Sequence, residues 1–201
     1  MRKGILLALE GIDAAGGEEQ SNRILEYCRS KNIPAEKLTY PDYSTPIGKA
    51  IHDYLHENFE LSEEILALLH ATDRIKDKEK IKQWIEQGKL VICDRYYTST
   101  LAYQGMKVPL EKLLKLAEMF DLQKPDIIVY LKISPETSIK RKRGEKGDNL
   151  DRNEASREVH EAVAKSYEKL IEKQVFGSWF VVDGEKSIEE VFEDIKKILR
   201  I

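Results

Sequence analysis

Short apolar runs alternate with helix-like segments along nearly the whole chain. Residues 5–9, 90–93 and 127–131 carry only apolar or tyrosine side chains, which is typical of strands buried on both faces of a parallel sheet. Helical spacing between such runs indicates right-handed crossovers. We therefore predict a doubly wound α/β fold with five parallel strands, helices on both faces, and ligands outside the carboxyl ends of the strands.

Two further segments, residues 35–40 and 179–182, complete the predicted sheet. We expect all five strands to be shielded from water on both sides, with the three apolar runs among the inner strands. Periodic apolar positions predict helices over residues 20–31, 47–57, 63–73, 76–87, 110–120, 137–143, 157–173 and 188–199.

Composition limits the class of protein. The 201 residues are 41% hydrophobic and 34% charged, which favours a globular domain over disorder, and we expect one domain spanning residues 1–201. The net charge of −3 gives no sign of a nucleic-acid partner. Two cysteines exclude a disulfide framework, and the apolar run at residues 5–9 is too short for a signal peptide or membrane span. We expect a cytoplasmic protein.

The turn after the first strand has the spacing of a phosphate-binding loop. Gly11 and Gly16 fit the pattern G-x-x-x-x-G-K-[ST], but Gly17 stands at the lysine position and Glu18 at the hydroxyl position. The backbone N–H groups can still attract an anion, whereas the cation for the β/γ-phosphates and a magnesium ligand are missing. Two unit charges about 4 Å apart interact by roughly 4 kcal/mol at an effective dielectric of ~20. Loss of the lysine and addition of Glu18 therefore disfavour a bound triphosphate. Alternatively, Glu18 and Glu19 simply complement a helix N-terminus.

A second motif, later in the chain, indicates the kind of protein to which this loop belongs. Residues 94–105 read D-R-Y-Y-T-S-T-L-A-Y-Q-G, which resembles the signature D-R-Y-x-x-S-x-x-A-Y-Q-G of the thymidylate kinase family. Further segments resemble family motifs in the same order, namely residues 10–13, 40–48, 68–74, 150–154 and 182–187. The resemblance covers nearly the whole chain and implies a P-loop NTPase-like fold. It also implies transfer of the ATP γ-phosphoryl to dTMP with Mg²⁺, and a homodimer.

The resemblance also assigns roles to particular residues. It implies a catalytic group comprising Asp13, Asp94, Arg95, Arg141 and Arg143, with Asp94 as the metal ligand. It implies an ATP side made of Gly11, Ala14, Ala15, Gly16, Gly17, Glu18, Arg141 and Gly184. It implies a dTMP side made of Thr39, Pro41, His70, Arg74, Arg95, Tyr103 and Gln104. Because Ala14 is not arginine, the chain resembles the bacterial-like type, whose arginines lie in a lid, here about residues 141–153.

Residue chemistry alone leaves alternatives for these positions. Arg95 offers a planar fork for a phosphate or for a neighbouring carboxylate. Asp94 can bind a magnesium ion or cap a helix. Arg74 can contact the nucleotide or pair with Asp73 or Asp77 on the surface.

The chain departs from the family pattern on both sides of the site. Arginines are common where Thr39 and Tyr43 stand, and an aromatic residue is usual at His70. Three functions therefore remain: a thymidylate kinase impaired by Gly17 and Glu18, a non-catalytic nucleotide-binding module, or a different nucleoside or nucleotide kinase. We expect weak dTMP binding and low turnover. The helix over residues 63–73 has more apolar residues than one buried face needs, as in a dimer.

Overall fold

A computed structural model describes residues 3–146, 151 and 156–201 of the chain. Within them, five strands form one parallel sheet in the order β2-β3-β1-β4-β5. The strands are β1 (Ile5–Glu10), β2 (Ala35–Thr39), β3 (Leu90–Asp94), β4 (Ile127–Lys132) and β5 (Trp179–Asp183). The predicted doubly wound α/β fold is confirmed.

The three apolar runs form the centre of the sheet. Every residue of β3 is buried, as are residues 6–10 of β1 and 128–131 of β4. Consecutive buried residues point to opposite faces, so both faces of these strands are covered. In the register, Leu9 pairs with Asp94 and Glu10 with Tyr130. The carboxyl ends of the three strands thus meet at one edge.

The edge strands differ from our expectation. In β5, Phe180 and Val181 are 41% and 51% exposed, and no residue of β2 is fully buried. The prediction that every strand is shielded on both sides is wrong for these two strands. An edge strand has a neighbouring strand on one side only, and helices cover its faces less completely. Apolar side chains on such a strand can therefore stay partly exposed.

The helices pack in two groups, so that the inner strands are covered on both faces. Helix α1 contacts α9 and the strands β1–β3, while α5 contacts α3, α6 and α8. The helices are α1 (Gly17–Ser30), α2 (Pro46–Leu55), α3 (Glu63–Ile75), α4 (Lys78–Glu86), α5 (Tyr97–Tyr103), α6 (Leu110–Met119), α7 (Pro135–Lys146), α8 (Arg157–Glu172) and α9 (Ile188–Leu199).

Three helices differ clearly from the sequence prediction, and one of them, α7, is longer than the predicted residues 137–143 at both ends. Helix α1 begins three residues early because Gly16, at φ 98°, turns the chain into a helix at once. Helix α5 was not predicted, since its hydroxyl and aromatic residues show no helical period. It starts where the Tyr96 N–H donates to the buried Glu10 carboxylate at 2.9 Å. A tertiary contact, not local propensity, fixes this helix.

Other predictions concern the lid, the cysteines and membranes. Residues 141–146 of the predicted lid lie in α7, while residues 147–150, 152 and 153 lie outside the described residues. Cys28 and Cys93 are free and buried. Among the helices that the structure describes, none is long and apolar enough to cross a bilayer.

Candidate active site

The loop between β1 and α1 has the compact form of a phosphate cradle. Its backbone enters the left-handed region at Ala14 (φ 58°) and Gly16 (φ 98°). A Cβ on Gly11 would lie 2.6 Å from the Ala15 Cβ, so the turn requires glycine there. Helix α1 begins at Gly17, directly after this turn, so its N-terminus lies at the loop, an arrangement that favours anions.

Gly17 lies directly beside the Asp94 carboxylate. A Cβ on Gly17 would be 2.6 Å from Asp94 Oδ1, so the carboxylate occupies space that a larger side chain would need. Burial raises the pKa of the Asp94 carboxyl to about 6; Arg95 opposes this shift and Glu18 adds to it. The end of the cleft next to Gly17 and Glu18 is called the donor end below. It has a carboxylate where a phosphate loop normally supplies a cation.

Glu10, at the end of β1, is the anchor of helix α5. Its buried carboxylate accepts hydrogen bonds from the Ser99 hydroxyl at 2.5 Å, from the Tyr167 hydroxyl at 2.8 Å, and from Thr98. These bonds satisfy the carboxylate inside the core. They also fix the start of α5, which positions Arg95 and Tyr103 at its two ends.

Arg95 follows β3 in a left-handed conformation, at φ 61°. Its Nη2 donates to Asp13 Oδ1 at 2.6 Å, and its Nη1 donates to the Gly11 carbonyl at 2.9 Å. The guanidinium lies over the Tyr103 ring, 5.6 Å from the centroid. Although burial disfavours the charge, Tyr103 and Asp13 hold the Arg95 pKa well above its usual value. The carboxylate alternative is confirmed, since Arg95 forms a salt bridge with Asp13; Arg95 also lines the cleft.

Arg74 and His70 form one side of the cleft, on α3. Arg74 is 1% exposed; its Nη1 lies 3.0 Å from the His70 carbonyl and 3.1 Å from His70 Nδ1. The guanidinium also packs over the Tyr40 ring at 4.9 Å. Burial, with the charges of Arg74 and Arg95, keeps the His70 pKa well below its usual range, so its imidazole is neutral. The alternative of a pair with Asp73 is confirmed, since Arg74 Nη1 lies 3.6 Å from Asp73 Oδ2, but both side chains are buried rather than solvated.

Helix α7 packs on the back of the phosphate loop. Ser138 Oγ donates to the Asp13 carbonyl at 2.5 Å. Arg141 donates to the Ala14 carbonyl at 3.2 Å and to the Gly184 carbonyl at 3.0 Å. Arg141 thus ties the loop after β5 to the phosphate loop through backbone oxygens.

Most of the predicted site residues meet in one open cleft of about 980 Å³. Those lining it are Gly11, Asp13, Ala14, Ala15, Gly16, Gly17, Glu18, Thr39, Pro41, His70, Arg74, Asp94, Arg95, Tyr103 and Gln104. Three do not line it: Arg141 and Gly184 contact each other behind the loop, and Arg143 is exposed on α7.

Other residues in the cleft wall were not predicted. Lys142 and Glu145 line the cleft from α7. His52 of α2 and His56, just after that helix, also line it, with their ring centroids 4.0 Å apart. The sequence signal for such residues is a spacing of three or four positions, which places two side chains on the same face of a helix. Charged residues are dense around position 142, so that spacing alone does not single out one face of the helix.

The fold and cleft define a class of protein. A glycine-rich loop between the first strand and a helix, with charged side chains at neighbouring strand ends, is the arrangement of P-loop proteins that act on nucleotides. The α3 wall and the strand-end arginine lie in the same cleft as this loop. The chain has the architecture of a nucleoside monophosphate kinase.

Comparison with known proteins identifies the family. The sequence profile described as thymidylate kinase matches residues 9–195. The chain is 30% identical to a thymidylate kinase of Danio rerio over 98% of this chain and 90% of that protein. It is 32% identical to one of Homo sapiens over 97% and 89%, and 34% identical to one of Carboxydothermus hydrogenoformans over 98% and 97%. The chain belongs to the thymidylate kinase family, whose members use ATP and typically Mg²⁺.

Proposed function

We propose that this chain, as a single domain over residues 1–201, transfers the γ-phosphoryl of ATP to dTMP slowly, giving dTDP and ADP. The observation that carries the proposal is the placement of the predicted donor and acceptor residues around one cleft at the ends of β1 and β3. The low rate follows from Gly17 and Glu18, which remove a cation and add an anion at the donor end.

On the acceptor side, dTMP lies between α3, the segment after β2 and the start of α5. Arg95 binds the dTMP phosphate, since its fork already lies at the cleft wall in a fixed orientation. Arg74 and the neutral His70 contact the thymine, and Thr39, Pro41, Tyr103 and Gln104 form the remaining walls. Thr39 carries no charge for the phosphate, so dTMP binds more weakly than with an arginine there.

On the donor side, the backbone of residues 11–17 binds the ATP phosphates. Asp94 fits a magnesium ion: its carboxylate is nine-tenths buried and faces the space above Gly17, where a Cβ would lie 2.6 Å away. Carboxylate oxygens are the ligands that Mg²⁺ prefers, and Glu18 lines the same cleft. When bound, the ion neutralises charge on the phosphates.

The remaining predicted residues keep supporting roles in the proposal. Asp13 orients Arg95 through their 2.6 Å salt bridge. Arg141 and Gly184 border the ATP side through their shared hydrogen bond. Arg143, exposed at the end of α7, stays a predicted lid residue.

The position of Gly17 favours one alternative, a module that binds dTMP without catalysis. Its hydrogen-only side chain leaves the carboxylates of Asp94 and Glu18, without a phosphate-loop lysine, at the donor end. Separate calorimetric titrations with dTMP and with ATP·Mg²⁺, followed by a dTDP assay, distinguish the two functions. Our proposal expects dTMP binding, weak ATP·Mg²⁺ binding and slow dTDP formation. Binding of dTMP with no dTDP formed supports the alternative, and absence of dTMP binding contradicts both.

Three further expectations stay predictions. A homodimer is supported by exposed apolar side chains on neighbouring elements, namely Ile65, Leu68, Met106 and Met119. A cytoplasmic location is supported by two free, buried cysteines, which suit a reducing compartment. A lack of nucleic-acid partners is supported by the net charge of −3.

A further inference from the structure

One face of α7 lies against the phosphate loop. Ser138 and Arg141 both donate to carbonyl oxygens of the loop, those of Asp13 and Ala14. These two residues are three apart, so they define which face of the helix meets the loop. The helix is thereby held at a fixed distance from the donor end of the cleft.

Lys142 and Glu145 share that face, since they follow Ser138 by four and seven residues. Both line the cleft together with Gly17 and Glu18. The Lys142 side chain is 17% exposed, and its Nζ lies 3.3 Å from Glu145 Oε2. The neighbouring Lys140 is exposed and does not line the cleft.

The donor end of the cleft needs a positive charge to bind a triphosphate, because Gly17 provides none and the cleft holds the carboxylates of Asp94 and Glu18. Arg141 is poorly placed to supply this charge, since its guanidinium hydrogen bonds to the Ala14 and Gly184 carbonyls. Lys142 is the next cation on the same face, and its present carboxylate partner can be exchanged for phosphate oxygens.

We propose that Lys142 supplies to the β/γ-phosphates the positive charge that Gly17 cannot provide. The lysine leaves Glu145 and contacts the phosphates when ATP binds. This inference rests on the proposed function, since it requires that ATP·Mg²⁺ binds in this cleft. The catalytic role of the phosphate-loop lysine would thus be performed by a residue of α7.

The test is a double-mutant cycle. Lys142→Met is made in the unmodified chain and in the Gly17→Lys, Glu18→Thr variant, and kcat, KM for ATP and the Kd values for ATP·Mg²⁺ and dTMP are measured. Lys140→Met, on the same helix but outside the cleft, is the matched control. In the unmodified chain we expect Lys142→Met to lower kcat/KM for ATP by about tenfold or more and to leave dTMP affinity unchanged. In the restored loop we expect a loss of about threefold or less, because the loop lysine then supplies the charge.

The outcomes separate this proposal from the proposed function. If dTDP forms but Lys142→Met costs the same factor in both backgrounds, or no more than Lys140→Met, Lys142 does not replace the loop lysine. A fall in dTMP affinity equal to the fall in ATP affinity would also overturn the proposal, because it would show general damage to the fold. If the unmodified chain forms no dTDP, the proposed function fails and this inference fails with it. Recovery of ATP affinity in Lys142→Arg supports the charge as the cause.

Discussion

Arg95 Nη2 lies 2.6 Å from Asp13 Oδ1, and this salt bridge joins the acceptor side of the cleft to the phosphate loop. Asp13 belongs to the turn after β1, and Arg95 to the turn after β3. The parallel register of these two strands brings the turns together. Asp13 therefore orients the group that we assign to the dTMP phosphate.

Arg95→Ala tests the acceptor site. We expect a loss of about 1.5–3 kcal/mol in dTMP binding, because a charge-assisted hydrogen bond to phosphate is removed. Calorimetry at fixed salt measures it. Asp13→Asn is the matched control: it retains the guanidinium and is expected to cost less. Unchanged dTMP affinity in Arg95→Ala would remove Arg95 from the site.

His70→Phe tests the thymine side of the cleft. A phenyl ring stacks on a base better than a neutral imidazole does, so we expect dTMP affinity to rise by about threefold to tenfold. The same change removes the Nδ1 contact of the buried Arg74, so the free energy of unfolding should fall by about 1 kcal/mol. Titration and thermal unfolding give the two values. An affinity that falls together with stability would contradict the stacking role.

Asp94→Asn tests the raised pKa of this carboxyl. The folded-state pKa is about 6 and the unfolded value is about 3.9, so between pH 4 and 6 the unfolded chain loses its proton first. The free energy of unfolding of the unmodified chain therefore falls with rising pH in that window. As the pH rises from 4 to 7, the free energy of unfolding of Asp94→Asn should therefore increase by about 2–3 kcal/mol relative to that of the unmodified chain.

Chemical unfolding at several pH values measures this difference. Asp121→Asn, at an exposed position, is the control and should show no such trend. A stability difference between Asp94→Asn and the unmodified chain that is independent of pH would show that burial does not raise the Asp94 pKa.

The predicted homodimer is tested by sedimentation at tens of micromolar. Leu68 is 50% exposed on α3, so Leu68→Lys should weaken association by burying a charge in an apolar interface. Glu79→Lys on α4, also exposed, should leave the dimer unchanged. A monomer in the unmodified chain would remove the dimer prediction.

Much of the fold could be predicted because buried parallel strands leave an unambiguous sequence pattern. The runs that form β1, β3 and β4 contain only apolar or tyrosine side chains before their ends, and the structure places all three at the centre of the sheet. Helix α5 could not be predicted in this way. Its start depends on the Glu10 carboxylate, more than 80 residues earlier in the chain, and no local pattern records such a contact.

The site was predicted to the extent that motifs lie at strand ends. Gly11, Asp94 and Arg95 lie within two residues of the ends of apolar runs, so the parallel sheet brings them together. Arg141 and Lys142 show the limit. Both are basic and adjacent in sequence, yet Arg141 contacts backbone carbonyls while Lys142 lines the cleft. Sequence gives the charge of each, but the packing of α7 decides which one faces the cleft.

The steady-state rate of dTDP formation in the unmodified chain and in the Gly17→Lys, Glu18→Thr variant tests the central claim most directly. The new lysine requires the Asp94 carboxylate to rotate away from its Cβ, and it supplies the missing charge. We predict that the paired change raises the rate by about 10²-fold or more, while Glu18→Thr alone gives a smaller rise. An unmodified chain that already turns over dTMP at several per second, within the range of ordinary kinases, would contradict the account.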